Sequence, residues 1–353
     1  MQNKDHKLAP PAALTRRSAL LQASSGLLLT ATRAAVPGAL LAGQCADAQT
    51  SLSEQGTQLL LLGTQGGPNF NETRGECASA LIVDGEIYLF DCGYGAMLSL
   101  RKSGLHHREV GHIFVTHLHD DHVGDLATLL SHQWTDGRVD PTQVIGPYGT
   151  QSMVAGALEF ARANAIIRLI DEDRSVQPED IITARDIEAP AEPSVVYSDE
   201  RVQVSAVENT HFPEDAKAQM PYRAVSYRVD TADRSVVFSG DTAYSAGLVE
   251  LARDANLFVC ETIQVSTARA NFERRVAAGS YADNPEGVWA HIVGTHASTE
   301  DTGRMAAEAN VSTLVLTHLI PGSLVEIDDD VYLEGIRQHF DGDVIIGEDG
   351  LVI

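Results

Sequence analysis

Cysteine is scarce. Four in 353 residues are too few for a disulfide framework, and Cys77, Cys92 and Cys260 lie in or beside apolar runs, where buried thiols are the simpler reading. Positive charge is scarce too: 25 Lys and Arg stand against 49 Asp and Glu, for a formal net charge of −24. Such a surface repels polyanions at long range, and no basic patch is visible that would hold nucleic acid. A long hydrophobic run is also missing, since Arg33 and Pro37 interrupt the one mildly apolar stretch near the start and leave no window of about 20 residues to cross a bilayer. No short-period repeat is present, which argues against a solenoid. What is there, 44% hydrophobic and 21% charged residues, suits a globular protein with ample material for a core.

Residues 1–48 differ from the rest. Lys4 and Lys7 precede Thr15-Arg16-Arg17-Ser18-Ala19-Leu20, then the mildly apolar stretch, then the small-x-small pattern Ala46-Asp47-Ala48. Together these resemble a bacterial twin-arginine export signal. The resemblance implies the twin-arginine translocase as a transient partner, a periplasmic or secreted destination, and one catalytic domain at residues 49–353. Cys45 with Gln44 before it matches a lipoprotein cleavage box only by half.

From Leu59 the chain alternates short β-type runs with turns and helical periods. Strands are expected at Leu59–Leu62, Ala78–Val83, Ile87–Phe90, Gly111–Val115, Gln143–Ile145, Val202–Val207, Ala224–Val229, Ser235–Phe238, Leu257–Val259, Thr313–Thr317 and Val344–Ile346. Helical spacing marks Ala96–Ser103, Val123–Trp134, Gln151–Ala163, Ser245–Asp254 and Ser298–Ala309. Asp84-Gly85 between apolar runs signals a tight hairpin. The acidic, Pro-containing stretch Asp171–Pro193 reads as a surface excursion. Two runs of strands, each with its helices, predict an α/β protein: an αββα sandwich of two mixed β-sheets flanked by helices.

Thirteen histidines are present, and three fall within six residues of Thr116-His117-Leu118-His119-Asp120-Asp121-His122, directly after an expected strand. In a loop, this spacing lets His117 and His119 point to one metal while Asp121 and His122 turn to another. Neutral imidazoles with a carboxylate suit Zn²⁺ and similar borderline ions. A lone histidine would be a core or surface residue; four ligand-type residues this close are a metal loop.

The pattern His-x-His-x-Asp-His resembles the metallo-β-lactamase superfamily, and further segments match its motifs in order. Phe90-Asp91-Cys92-Gly93 resembles the motif whose aspartate supports the metal loop. Asn209-Thr210-His211, Ser239-Gly240-Asp241-Thr242 and Thr317-His318-Leu319 resemble those supplying a third histidine, a bridging aspartate and a last histidine. The resemblance implies His117, His119, Asp121, His122, His211, Asp241 and His318 as ligands to two Zn²⁺, with Mn²⁺ or Fe²⁺ as alternatives. It implies a metal-bound hydroxide as nucleophile and a catalytic part for Asp121.

Leu62-Gly63-Thr64 and Gly294-Thr295-His296-Ala297-Ser298-Thr299 resemble the ribonuclease Z and arylsulfatase-like branch. Cys260-Glu261-Thr262 lies where that branch carries a glutamate, so Glu261 is expected to orient His296 as a general acid. Only 29 residues separate His211 from Asp241, too few for a long RNA-gripping arm. With the acidic balance and the export signal, this favours an exported hydrolase of a small anionic ester, an aryl sulfate or phosphodiester, with no nucleic acid as partner. A lactonase or β-lactamase is the alternative; a ribonuclease Z-like endonuclease and an inactive metal-binding protein rank lower. The oligomeric state is open, a homodimer included. Phe212–Tyr222 and Asn271–Trp289 are the segments able to shape a pocket. Within the latter, Arg274 and Arg275 read as a solvated helix face and Trp289 as core.

Overall fold

A computed structural model describes residues 52–53, 55–67, 72–281, 283–322 and 330–353; the expected export signal at residues 1–48 lies outside them. The first sheet contains β1 (Thr57–Gly63), β2 (Ala78–Val83), β3 (Glu86–Phe90), β4 (Val110–Phe114), β5 (Thr142–Pro147) and β6 (Ile182–Ile187), side by side in chain order. The second contains β7 (Ser194–Ser198), β8 (Gln203–Glu208), β9 (Val225–Asp230), β10 (Ser235–Phe238), β11 (Leu257–Ile263), β12 (Thr313–Ile320) and β13 (Asp343–Ile346). Each sheet begins antiparallel and ends parallel: β1 to β3 and β7 to β10 pair antiparallel, β3 to β6 and β10 to β13 parallel. The first half of the chain carries helices α1 (Ala96–Lys102), α2 (Asp120–Val123), α3 (Leu126–Thr135), α4 (Thr150–Asp171) and α5 (Pro178–Ile181). The second carries α6 (Glu214–Lys217), α7 (Ala246–Leu251), α8 (Val265–Ala277), α9 (Pro285–Thr295), α10 (Thr299–Glu308) and α11 (Asp330–Ile336).

The period-2 geometry of a strand explains why four layers form. In β1, Leu59 and Leu61 face the second sheet, while Leu60 and Leu62 face Leu100 of α1 and Leu126, Leu129 and Leu130 of α3. In β11, Leu257 and Val259 face the first sheet, and Phe258 and Cys260 face Leu248 of α7 and Met305 of α10. Strands buried on both faces read as continuous apolar runs, as these do. The result is the expected αββα sandwich of two mixed β-sheets flanked by helices. Cys77, Cys92 and Cys260 are buried, unpaired thiols.

Asp84 (φ +48°) and Gly85 (φ +84°) form the hairpin between β2 and β3, the two left-handed residues that a primed turn requires. The stretch Asp171–Pro193 is not a mere surface excursion. It holds α5 and β6, and β6 pairs with β5 from Thr142↔Ile182 to Pro147↔Ile187. Only the ends of β6, Ile182 and Ile187, are buried, so an edge strand hid among polar residues. Helix α4 likewise runs to Asp171, well past Ala163.

Strands β3 and β4 run parallel, as do β8, β10, β11 and β12. Their carboxyl ends therefore open on one edge of the sandwich. Asp91, residues 116–122, His211 and Asp241 follow those ends, and His318 lies near the carboxyl end of β12.

Candidate metal centre

The loop after β4 is anchored before it can bind anything. Asp91 Oδ1 accepts the Thr116 backbone N–H at 2.8 Å, and Oδ2 accepts the Thr116 hydroxyl and meets His122 Nδ1, both at 2.8 Å. Asp91 holds this place with φ +59°, and His318 with φ +43°, left-handed conformations that non-glycine residues adopt at a cost. Gly67 is required by proximity: its N–H meets Asp121 Oδ2 at 3.1 Å, and a Cβ there would come within 2.2 Å of Asp121.

The structure brings all seven expected ligand residues into two adjoining groups. His117, His119, His211 and Asp241 form one, and Asp121, His122, His318 and Asp241 the other. His119 Nδ1 is 3.0 Å from His117 Nε2 and 3.2 Å from His211 Nε2. The outward nitrogens of the other rings are occupied: His117 Nδ1 meets the Thr116 hydroxyl at 3.1 Å, and His211 Nδ1 meets the Thr295 carbonyl at 3.1 Å. Donation outward leaves each Nε2 with its lone pair facing inward. Converging lone pairs repel unless a cation lies between them. Tetrahedral ligands at about 2.0–2.1 Å from zinc stand roughly 3.3 Å apart, which matches these spacings.

Asp241 turns one oxygen to each group. Its Oδ1 is 3.1 Å from His122 Nε2 and 3.3 Å from His318 Nε2; its Oδ2 is 3.7 Å from His117 Nε2 and 4.0 Å from His211 Nε2. Asp121 Oδ2 is 3.2 Å from His318 Nε2 and 3.7 Å from His122 Nε2. His122 Nε2 and Asp241 Oδ1 are buried without a hydrogen-bonding partner among the described residues. Burial first, then neighbouring imidazoles, hold His117 and His211 well below the ordinary pKa. Burial opposes the cation at His122 and His318 also, yet Asp241 and the other carboxylates overcome it and raise both. One group thus offers neutral donors, and the other demands positive charge that a metal ion can supply in place of protons. The residues fit two divalent ions.

Beside them, Glu261 is fully buried in β11. Its Oε1 accepts the Thr242 backbone N–H and its Oε2 meets His296 Nδ1 at 2.8 Å. His296 follows α9, and its ring stacks on His318 at 5.4 Å. Burial disfavours the His296 cation, but Glu261 and Asp241 outweigh it, so its pKa is raised. The expected Glu261–His296 pairing is therefore present in space.

Sequence reasoning missed His291, one turn before Thr295 on α9. Its ring lies 5.5 Å from His211 and 5.9 Å from His119, and burial followed by His296 and His119 lowers its pKa to about 4. The available signal was its position five residues before His296 on a helix that the sequence left unassigned. Both expected pocket segments border the site. Phe212 packs 5.5 Å from the His119 ring, and Tyr222 lies with it along a groove beside Leu118 and His119. Trp289 corrects its expected place: it is partly buried and lines the cavity over the centre instead of filling the core.

A model of the beta-lactamase superfamily domain matches residues 87–319. The chain belongs to that superfamily. Its fold is the metallo-β-lactamase fold, shared by the protein YhfI of Bacillus subtilis (TM-score 0.57, 17% identity, covering 84% of this chain and 99% of that one). The short form of human tRNase Z is similarly related (TM-score 0.57, 21% identity, covering 84% and 98%). In sequence, the chain is 28% identical over 295 residues to a protein of Mycobacterium avium named ribonuclease Z, covering 83% of this chain and 96% of that relative.

Relatives of that name overturn the expectation of a small-ester hydrolase without a nucleic-acid partner. They also lend no support to the arylsulfatase side of the branch. The net charge was weak ground. Charge spread over a surface is screened beyond about 8–10 Å in physiological salt, so it says little about what a single cavity can bind.

Proposed function

We propose that the protein is a dinuclear metal-dependent phosphodiesterase that cleaves RNA, as the name ribonuclease Z describes for its relatives. Zn²⁺ suits the five imidazoles and two carboxylates best, with Mn²⁺ and Fe²⁺ as alternatives. The observation that carries the reading is the Glu261–His296 pair, joined at 2.8 Å, with His296 on the cavity that His119, Asp121 and Asp241 also line. An RNA phosphodiester leaves as an alkoxide, a poor leaving group that needs a proton; a lactone or β-lactam needs that help less.

When bound, divalent ions supply Lewis acidity toward a phosphoryl oxygen and activate water. The chain's own residues do the rest. Asp241 holds the two groups in register with one oxygen toward each. Asp121, fixed by the Gly67 N–H and His318, orients the second group. Because His296 Nδ1 is engaged by Glu261, its Nε2 is the nitrogen left to face substrate. It protonates the departing ribose oxygen as the P–O bond breaks and a water oxygen bonds to phosphorus. The proton released by that water restores His296.

The test is a panel run on metal-quantified protein: an RNA with a 3′ extension, bis-nitrophenyl phosphate, nitrophenyl sulfate, a lactone and nitrocefin. Cleavage of the RNA and of bis-nitrophenyl phosphate is expected. Activity confined to the lactone and nitrocefin, or no phosphodiester cleavage at two metals per chain, sinks the proposal.

A further inference from the structure

Helices α8 and α9 contribute none of the seven ligand residues, yet they roof the centre. Ile263, Ala268 and Ile320, with Trp289 and Ile292, pack as a small apolar cluster apart from the main core. Between this roof and His119, Asp121, Asp241 and His296 lies a cavity of about 300 Å³, the size of one small ligand group. Its wall is aromatic: Phe272 stacks on Tyr281 at 5.4 Å and meets Trp289 at 5.3 Å.

Arg275 is the one cation lining that cavity among the described residues, apart from histidines. Its guanidinium lies 5.3 Å from the Tyr281 ring centroid. Its Nε is buried without a hydrogen-bond partner, and no carboxylate pairs with it among the described residues. In a chain with 49 acidic residues against 25 basic ones, arginines readily find carboxylates. Arg269 on the same helix meets Glu273 at 2.7 Å, and Arg253 and Arg304 pair with Glu250 and Glu308. Arg274, next in sequence to Arg275, is exposed and reaches only Asn271. The adjacent arginines thus part company, as consecutive helical positions must, and one of them turns to the cavity with an Nε donor that no described residue occupies. A planar guanidinium with free donors is suited to the paired oxygens of a phosphate.

We propose that Arg275 and the aromatic wall of Phe272 and Trp289 form a subsite for the nucleotide next to the scissile bond. Arg275 takes that nucleotide's own phosphate, and the aromatic wall takes its base. The inference rests on the RNA reading above and deepens it. A ligand that touches both ends of the cavity carries one anionic group at the metal-ligand residues, a second at Arg275 and a flat ring against the aromatic wall, which two phosphates joined through a ribose with its pendant base provide. Stacking of bases on aromatic side chains is tolerant of sequence, so the subsite selects for an adjoining phosphate and not for a particular base.

The experiment compares wild type, R275Q, R275K and R274Q, with kcat and KM measured separately. The substrates are the dinucleotide UpU, the same dinucleotide with an added 5′- or 3′-phosphate, and bis-nitrophenyl phosphate. Wild type should show a KM about tenfold lower for one phosphorylated dinucleotide than for UpU, the scale of one charge-assisted contact. R275Q should erase that difference through KM at unchanged kcat, R275K should keep part of it, and R274Q all of it. The KM for bis-nitrophenyl phosphate should not move. A second readout needs no turnover: uridine 5′-monophosphate should quench the fluorescence of Trp289, one of only two tryptophans, and its Kd should rise about tenfold in R275Q. Absence of any phosphate preference in wild type, its survival in R275Q, or an equal fall in kcat on every substrate overturns the proposal. Failure of RNA cleavage with Arg275-dependent nucleotide binding intact would sink the RNA reading and leave the subsite standing. RNA cleavage with no effect of R275Q would do the reverse.

Discussion

Replacing Glu261 by glutamine removes one charge from the centre and almost no volume. The amide oxygen can still accept the Thr242 N–H that Glu261 Oε1 holds, so the buried backbone keeps its partner. What disappears is the carboxylate 2.8 Å from His296 Nδ1. A hydrogen bond to a charged group contributes about 1.5–3 kcal/mol, and about 1.36 kcal/mol corresponds to a tenfold rate change. The variant should therefore cleave RNA roughly 10- to 150-fold more slowly. The loss should depend on the leaving group. A nitrophenolate departs without a proton, so kcat on bis-nitrophenyl phosphate should fall less than about threefold, since general acid catalysis contributes only where a proton is needed. The pH profile gives a second reading. A general acid works below its own pKa, and Glu261 raises that of His296 against the effect of burial. Without the carboxylate, the alkaline limb of kcat should move to lower pH. The assay is kcat on both substrates across pH, with metal content and melting temperature measured beside it. An equal loss on the two substrates, or an unmoved alkaline limb, would refute the general-acid reasoning.

Asp91→Ala removes the carboxylate that fixes Thr116 and His122; metal affinity should fall about 10- to 100-fold, measured by competition with a chromogenic chelator. Chelation should lower the melting temperature reversibly, because ions that bind only the folded chain stabilise it by about 2.7 kcal/mol at a hundredfold excess over Kd; a melting curve blind to chelator would contradict the ligand assignment. At the far end of the sheets, Asp199 accepts the hydroxyls of Tyr88 (2.7 Å) and Tyr197 (2.8 Å) and the backbone N–H groups of Arg201 and Val202. Asp199→Ala should cost about 2–4 kcal/mol in urea unfolding, as several hydrogen bonds to a charged acceptor are lost. Burial works against the Asp199 anion, but these donors prevail and hold its pKa below the ordinary value. Its stabilisation is therefore complete above the unfolded pKa near 3.9 and lost as pH falls through the lower folded value; Asp199→Asn should flatten the acid side of the stability curve.

Much of the centre was legible because its parts are local. His117, His119, Asp121 and His122 lie within one six-residue segment, and Asp91, His211, Asp241 and His318, which the superfamily resemblance picked out, each sit at or beside the end of an apolar run. Helix α4 and strand β6 were harder to read, since an edge strand with two buried residues leaves no alternating pattern. Helices α8 and α9 were read only as a pocket-forming segment, because their apolar residues serve a small satellite cluster instead of a full core face.

The sequence by itself determined the two-sheet sandwich and the metal loop, since hydrophobic period and ligand spacing are properties of short segments, and its resemblance to the metallo-β-lactamase superfamily pointed to the residues able to complete that loop. Tertiary structure decided which oxygen of Asp241 faces which group, that Glu261 touches His296, and that Arg275 turns inward while Arg274 does not. Net charge misled about nucleic acid for the same physical reason. It sums over the whole chain, whereas recognition depends on the few charges that folding places around one cavity.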